Sequence, residues 1–170
     1  MEGQDIAAVV NTVNLYAIGV DTRQWQLFDE VFTAGATADF GGPAVFTGLD
    51  TIKRLFVAIH APFHSTQHAT RAHHVRVDGD SATCLSYFHA MFLRDVPGER
   101  MYESTGWYDD SLVRTPQGWR IARRTCRSTW AGGNPAVLKT TPDVHVQTEF
   151  DALHLEAGAG RLGHLAAIAR

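Results

Sequence analysis

Cysteine is scarce in this chain. Of 170 residues only Cys84 and Cys126 carry a thiol, too few for a disulfide framework. Both lie in strand-like runs and read as small buried hydrophobes. Long apolar runs are also missing: no segment approaches the ~18 residues of a membrane span. The opening Met1-Glu2-Gly3-Gln4-Asp5 has neither the basic segment nor the apolar stretch of a signal peptide. A soluble, cytoplasmic protein with no membrane partner is therefore expected. Nor is there a basic stripe. Arg120, Arg123, Arg124 and Arg127 come nearest to one, but the net charge is -3, and no nucleic-acid partner is expected. No glycine-rich phosphate loop points to a nucleotide.

What is present suits one globular domain with a real core: 45% hydrophobic and 19% charged residues. The first third is helical in period. Asp5 can cap a helix in which Ile6, Val10, Val13, Ala17 and then Asp21 share a face. A second helix has Trp25, Phe28, Val31 and Phe32 as its buried side. A short strand at Ala36–Phe40 ends at Gly41-Gly42-Pro43, and a third helix from Asp50 to about His60 carries Ile52, Leu55, Phe56 and Ile59.

From His64 the period becomes strand-like. Four segments, about His64–Val77, Asp80–Leu93, Met101–Arg114 and Trp119–Thr129, are punctuated by Asp78-Gly79, Asp95-Val96-Pro97-Gly98 and Thr115-Pro116-Gln117-Gly118. The pattern predicts an α+β fold, with three helices packed on a strongly curved, mostly antiparallel sheet around a pocket. The domain is expected over residues 1–130. Residues 131–170 form a tail that could cover the pocket mouth or meet a partner subunit. Gly132-Gly133-Asn134-Pro135 reads as a loop, and Phe150–Arg170 as one or two short helices. His145, His154 and His164 lie in that tail and carry no argument.

Asp21 and His68 are the pair that could carry chemistry. An acid ending an apolar stripe points toward the core, and a carboxylate beside an imidazole fixes its tautomer and supports the imidazolium. Spacing alone does not bring them together. Asp21 could instead cap the second helix, and His68 could be a satisfied core histidine. A metal reading has some basis in nine histidines, with His60, His64 and His68 four apart. Pro62 and Ser65-Thr66 break that helix, and His73 and His74 point to opposite faces of a strand, so no metal is expected.

The segments Tyr16-Ala17-Ile18-Gly19-Val20-Asp21-Thr22-Arg23, Ser65-Thr66-Gln67-His68 and Gly118-Trp119-Arg120-Ile121 resemble the SnoaL-like branch of the nuclear transport factor 2-like superfamily. That branch includes scytalone dehydratase, bile-acid 7α-dehydratase and hexachlorocyclohexane dehydrochlorinase, and the resemblance covers roughly residues 5–130. It implies a cone-shaped fold with Asp21 and His68 as a catalytic dyad, Arg124 as an active-site arginine and Tyr16 as a catalytic tyrosine. It also implies Trp25, Phe63, Phe88, Ala90, Phe92, Gly106 and Tyr108 as substrate-binding positions. Phe92 stands where scytalone dehydratase has a second histidine. The implied activity is a cofactor-independent lyase of dehydratase type on a small hydrophobic ring compound. An isomerase or cyclase on the same scaffold, or a non-catalytic binding module, is the alternative. A homodimer or higher oligomer is expected through an outward stripe of Tyr87, His89, Met91 and Leu93.

Overall fold

The computed structural model describes residues 2–168 apart from 142, 143, 145 and 148, so His145 lies outside the described residues. Helix α1 (Glu2–Thr22) opens the chain. It buries Val9, Val13, Tyr16, Ala17 and Val20, while Ile6 is exposed, so the buried stripe is turned from the expected one. Asp5 does not cap this helix, which starts earlier. Its carboxylate accepts from the Arg114 guanidinium (2.7 Å) and the Trp119 indole (3.2 Å), tying the first turn to the hairpin around residues 114–119. The helix stops at Arg23, whose φ of +56° puts it in the left-handed region used to end helices. The Arg23 side chain then donates to the Phe63 carbonyl.

A 3-10 turn at Trp25–Leu27 and the single-turn α2 (Phe28–Val31) replace the expected second helix. Phe32 already belongs to β1 (Phe32–Asp39), which continues through β2 (Val45–Thr47) to α3 (Leu49–His60). Next come β3 (Ser65–Asp78), β4 (Ser81–Leu93), β5 (Met101–Thr115) and β6 (Gly118–Gly133), all close to the expected segments. Strand β6 runs through Gly132-Gly133, expected as loop, because these residues still pair with Glu103 and Tyr102. The sheet order is β2-β1-β6-β5-β4-β3. Every pairing is antiparallel except β1 with β6. The six-stranded sheet is curved and unclosed, and α1 and α3 pack on its inner face.

Alternation along β4 sends Ala82, Cys84, Ser86, Phe88 and Ala90 inward, all buried. They join Val13, Tyr16, Val20, Phe28, Phe56, Tyr108, Trp119 and Ile121 in one core. Strand β3 changes face at Ala72 (φ +52°), so His73 and His74 point to opposite sides. After β6 the chain forms a 3-10 turn at Pro135–Val137 and two short helices, α4 (Leu153–Gly158) and α5 (Gly163–Ile168). Helix α5 lies on β3, β4 and β5, on the face away from α1. The Asp109 carboxylate accepts from the Gly163 and His164 amides (2.6 and 3.1 Å). The His164 ring meets Thr83 and His74 (2.8 and 2.7 Å). Among the described residues no helix is long and apolar enough to cross a membrane.

Candidate active site

Asp21 sits in the last turn of α1, facing the start of β3. It does not cap the following turn. Its Oδ1 accepts from the Thr66 hydroxyl (2.8 Å) and its Oδ2 from the His68 amide (2.6 Å). The His68 ring nitrogen Nδ1 lies 2.7 Å from Oδ1. Burial opposes the ionised form, but the bonds from the His68 ring and backbone and from Thr66 outweigh it, so the carboxyl is held below its usual range. An ionised acceptor at Nδ1 places the ring proton there and leaves the Nε2 lone pair on the other side.

That imidazole borders a cavity of about 520 Å³, in the size range of small-molecule sites. Strand register explains the wall. His68 is opposite Ala90, Ala90 opposite Ser104, and Phe92 opposite Tyr102, so one inward row crosses three strands. Phe63, Phe88, Ala90, Phe92, Tyr16 and Tyr108 line the cavity. The Ser104 and Ser128 hydroxyls, 2.8 Å apart, add a polar spot to an otherwise apolar wall.

Four expected residues do not border it: Asp21, which sits behind His68, and Trp25, Gly106 and Arg124. Trp25 packs behind the wall, edge-on to Phe28 and beside Phe56 and His60. Gly106 allows a close approach of strands at a β5–β6 irregularity, where an added Cβ would lie 1.9 Å from the Arg127 carbonyl oxygen. Arg124 is fully buried. Its guanidinium makes a two-pronged pair with Asp110 (2.8 and 2.7 Å) and lies 4.2 and 4.1 Å from the ring centres of Tyr16 and Tyr108. Burial opposes its charge, but Asp110 outweighs burial and keeps it protonated. Burial also raises both tyrosine hydroxyls above their ordinary range, so both keep their protons at neutral pH.

The structure adds residues that the sequence reading did not place in the site. His60 extends the α3 stripe Ile52-Phe56 by one more turn, a continuation that the spacing could have revealed. Phe40 and Phe46 come from the β1–β2 region. Leu138, Thr141, Val144 and Gln147 come from the segment after β6, which has no periodic signal. Cys126 also borders the cavity, and burial pushes its thiol up to about 12, so it remains a neutral wall group. Among the described residues no group of three His, Cys, Asp or Glu side chains is placed to hold a metal ion; the chain turns at residues 61–64, between His60 and His68.

A helix-covered, curved sheet around an apolar cavity is a cone architecture, and the cavity is in the size range of small-molecule sites. The SnoaL-like domain family matches residues 1–125, and the chain belongs to that family. It is 33% identical over 111 residues to the protein Rv2910c of Mycobacterium tuberculosis, covering 64% of this chain and 75% of that one. Among solved structures it resembles the Kfla4162 protein of Kribbella flavida (TM-score 0.75, 26% identity, 78% of this chain and 95% of that one). A hexachlorocyclohexane dehydrochlorinase shares the fold at 16% identity (TM-score 0.68, 81% of this chain and 94% of that one). So does a Novosphingobium aromaticivorans protein provisionally named a scytalone dehydratase, at 20% identity (TM-score 0.72, 86% and 91%).

Proposed function

We propose that this chain is a cofactor-independent lyase of dehydratase type acting on a small hydrophobic ring compound that bears a hydroxyl. The observation that carries the reading is the 2.7 Å contact between Asp21 and His68 Nδ1, with the imidazole at the wall of an apolar cavity. His68 Nε2 takes a proton from carbon, and the C–H electron pair becomes the new double bond. The neighbouring C–O bond breaks, and the imidazolium returns its proton to the departing hydroxyl as water. Asp21 supports the imidazolium between the two transfers and never needs to accept the proton. Tyr16, still protonated, donates a hydrogen bond to the oxygen as it gains charge. Arg124 acts from behind the wall. Its cation lies against the Tyr16 ring and holds that hydroxyl in place, with Asp110 fixing the guanidinium.

Dehydratase and dehydrochlorinase names among fold neighbours support an elimination over other chemistry. The test is a screen of cyclic β-hydroxyketones for formation of the conjugated enone, followed by ultraviolet absorbance. Wild-type turnover should fall by ~10²–10⁴-fold in His68→Ala, with the fold intact by circular dichroism. If His68→Ala turns over as fast as wild type, the elimination reading fails.

A further inference from the structure

His60 is the most unusual polar group in the cavity wall. It is 5% exposed, at the last turn of α3. Its Nδ1 lies 2.9 Å from the Phe56 carbonyl, an oxygen that can only accept, so Nδ1 carries the proton. The ring is stacked on Phe56 (5.2 Å, 9°) and enclosed by Trp25 and Phe63. Its orientation is therefore held by a hydrogen bond and three aromatic neighbours. Nε2, left as an acceptor, is buried and has no partner among the described residues. A buried acceptor without a donor has lost its hydrogen bond to water with nothing in exchange. His60 is among the residues that line the cavity, and a ligand seated there is a candidate for the missing donor.

We propose that His60 is a fixed hydrogen-bond acceptor that restricts the cavity to ring compounds carrying a hydroxyl retained in the product. This rests on the small-ring-compound reading above and extends it. His60 and His68 have their ring centres 6.3 Å apart and present lone pairs of opposite purpose. The His68 lone pair is backed by a carboxylate and becomes a base. That of His60 is backed by a neutral carbonyl, and burial pulls the ring down to about 4. At neutral pH His60 neither gives nor takes a proton. It therefore cannot assist the departing oxygen. A hydroxyl that donates to an acceptor leaves less readily, because its oxygen gains electron density. The group held by His60 is thus a second hydroxyl, distinct from the one eliminated. A ketone or ether at that position would set lone pair against lone pair.

The experiment compares 2-naphthol with 2-methoxynaphthalene by calorimetric titration at pH 7. Wild-type protein should bind the naphthol about tenfold more tightly or better. His60→Phe, which keeps the aromatic stack, should bind the two alike, and His60→Gln, which restores an acceptor, should recover part of the preference. On wild-type protein the ¹⁵N resonance of His60 Nε2 should move on adding the naphthol and stay put with the ether. That measurement decides the matter if His60→Phe does not fold. Equal binding of both probes by wild type, an unmoved Nε2 resonance, or a preference that survives in His60→Phe overturns the inference and leaves the cavity reading intact. Binding of neither probe by wild type overturns the cavity reading, and the inference with it.

Discussion

An imidazole becomes a useful base when one nitrogen is held and the other is free, and Asp21 meets that condition for His68. The carboxylate does more than hold the ring. It also accepts from the His68 amide and the Thr66 hydroxyl, so it pins the first residues of β3 against α1. Three donors converge on two oxygens, and an amide cannot replace that pattern. Asp21→Asn must turn its NH₂ toward either the His68 backbone N–H or the ring Nδ1–H. The ring arrangement forces the wrong tautomer, with Nδ1 as acceptor and Nε2 protonated. The expected outcome is a ~10²–10⁴-fold loss in kcat with a modest loss of stability. Steady-state kinetics beside a thermal melt checks both. Asn caps helices as well as Asp does. An unchanged kcat would therefore return Asp21 to a structural role.

At the scale of elements, the inner wall is a consequence of register. Three antiparallel strands place His68, Ala90 and Ser104 in one row, with Phe92 and Tyr102 in the next, and a slip by one residue would turn all of them to the other face. Register between β5 and β6 shifts between Thr105 and Gly106. Gly106 is required there by space, since the Arg127 carbonyl occupies the position of its missing side chain. Gly106→Ala should either abolish the folded state or cost at least ~3 kcal/mol, at the upper end for an overpacked core site. Urea denaturation of the variant is the measurement. A midpoint equal to that of wild type would mean the strand separation is not rigid.

Two properties belong to the whole molecule. Burial pulls His60 and His164 down to about 4 from an ordinary 6.5, one on the cavity side of the sheet and one under α5. Between those values the unfolded chain binds protons that the folded chain refuses. Stability is therefore complete above about pH 6.5 and falls as pH drops toward 4, by on the order of 3 kcal/mol for His60. Urea midpoints measured from pH 7.5 to 4 should show this fall, and His60→Phe should reduce it, leaving the part that belongs to His164. The second property is association. Tyr87, Met101 and Trp130 remain exposed although α5 already covers part of the outer sheet face. We propose that a second copy covers this patch. Light scattering at micromolar concentration should return twice the chain mass, and a monomer mass would reject the dimer.

Some of this architecture is legible in the sequence. Alternation and turn residues placed β3 to β6 within a few residues, because a period of two and a Gly or Pro at a turn are local properties. The α3 stripe was equally plain. The face of α1 was not, since Ile6 and Val10 are as apolar as Val9, and only the sheet decides which side is covered. Asp21 and His68 are separated by α2, β1, β2 and α3, so only the packing of α1 on β3 brings them to 2.7 Å. Arg124 shows the reverse case. Its position in the sequence matches an active-site arginine, but tertiary structure closes it behind Tyr16 and Tyr108 on a buried carboxylate. Local chemistry determined which residues form strands and helices. Which of them share a cavity depended on distances across the sheet, which no local spacing encodes.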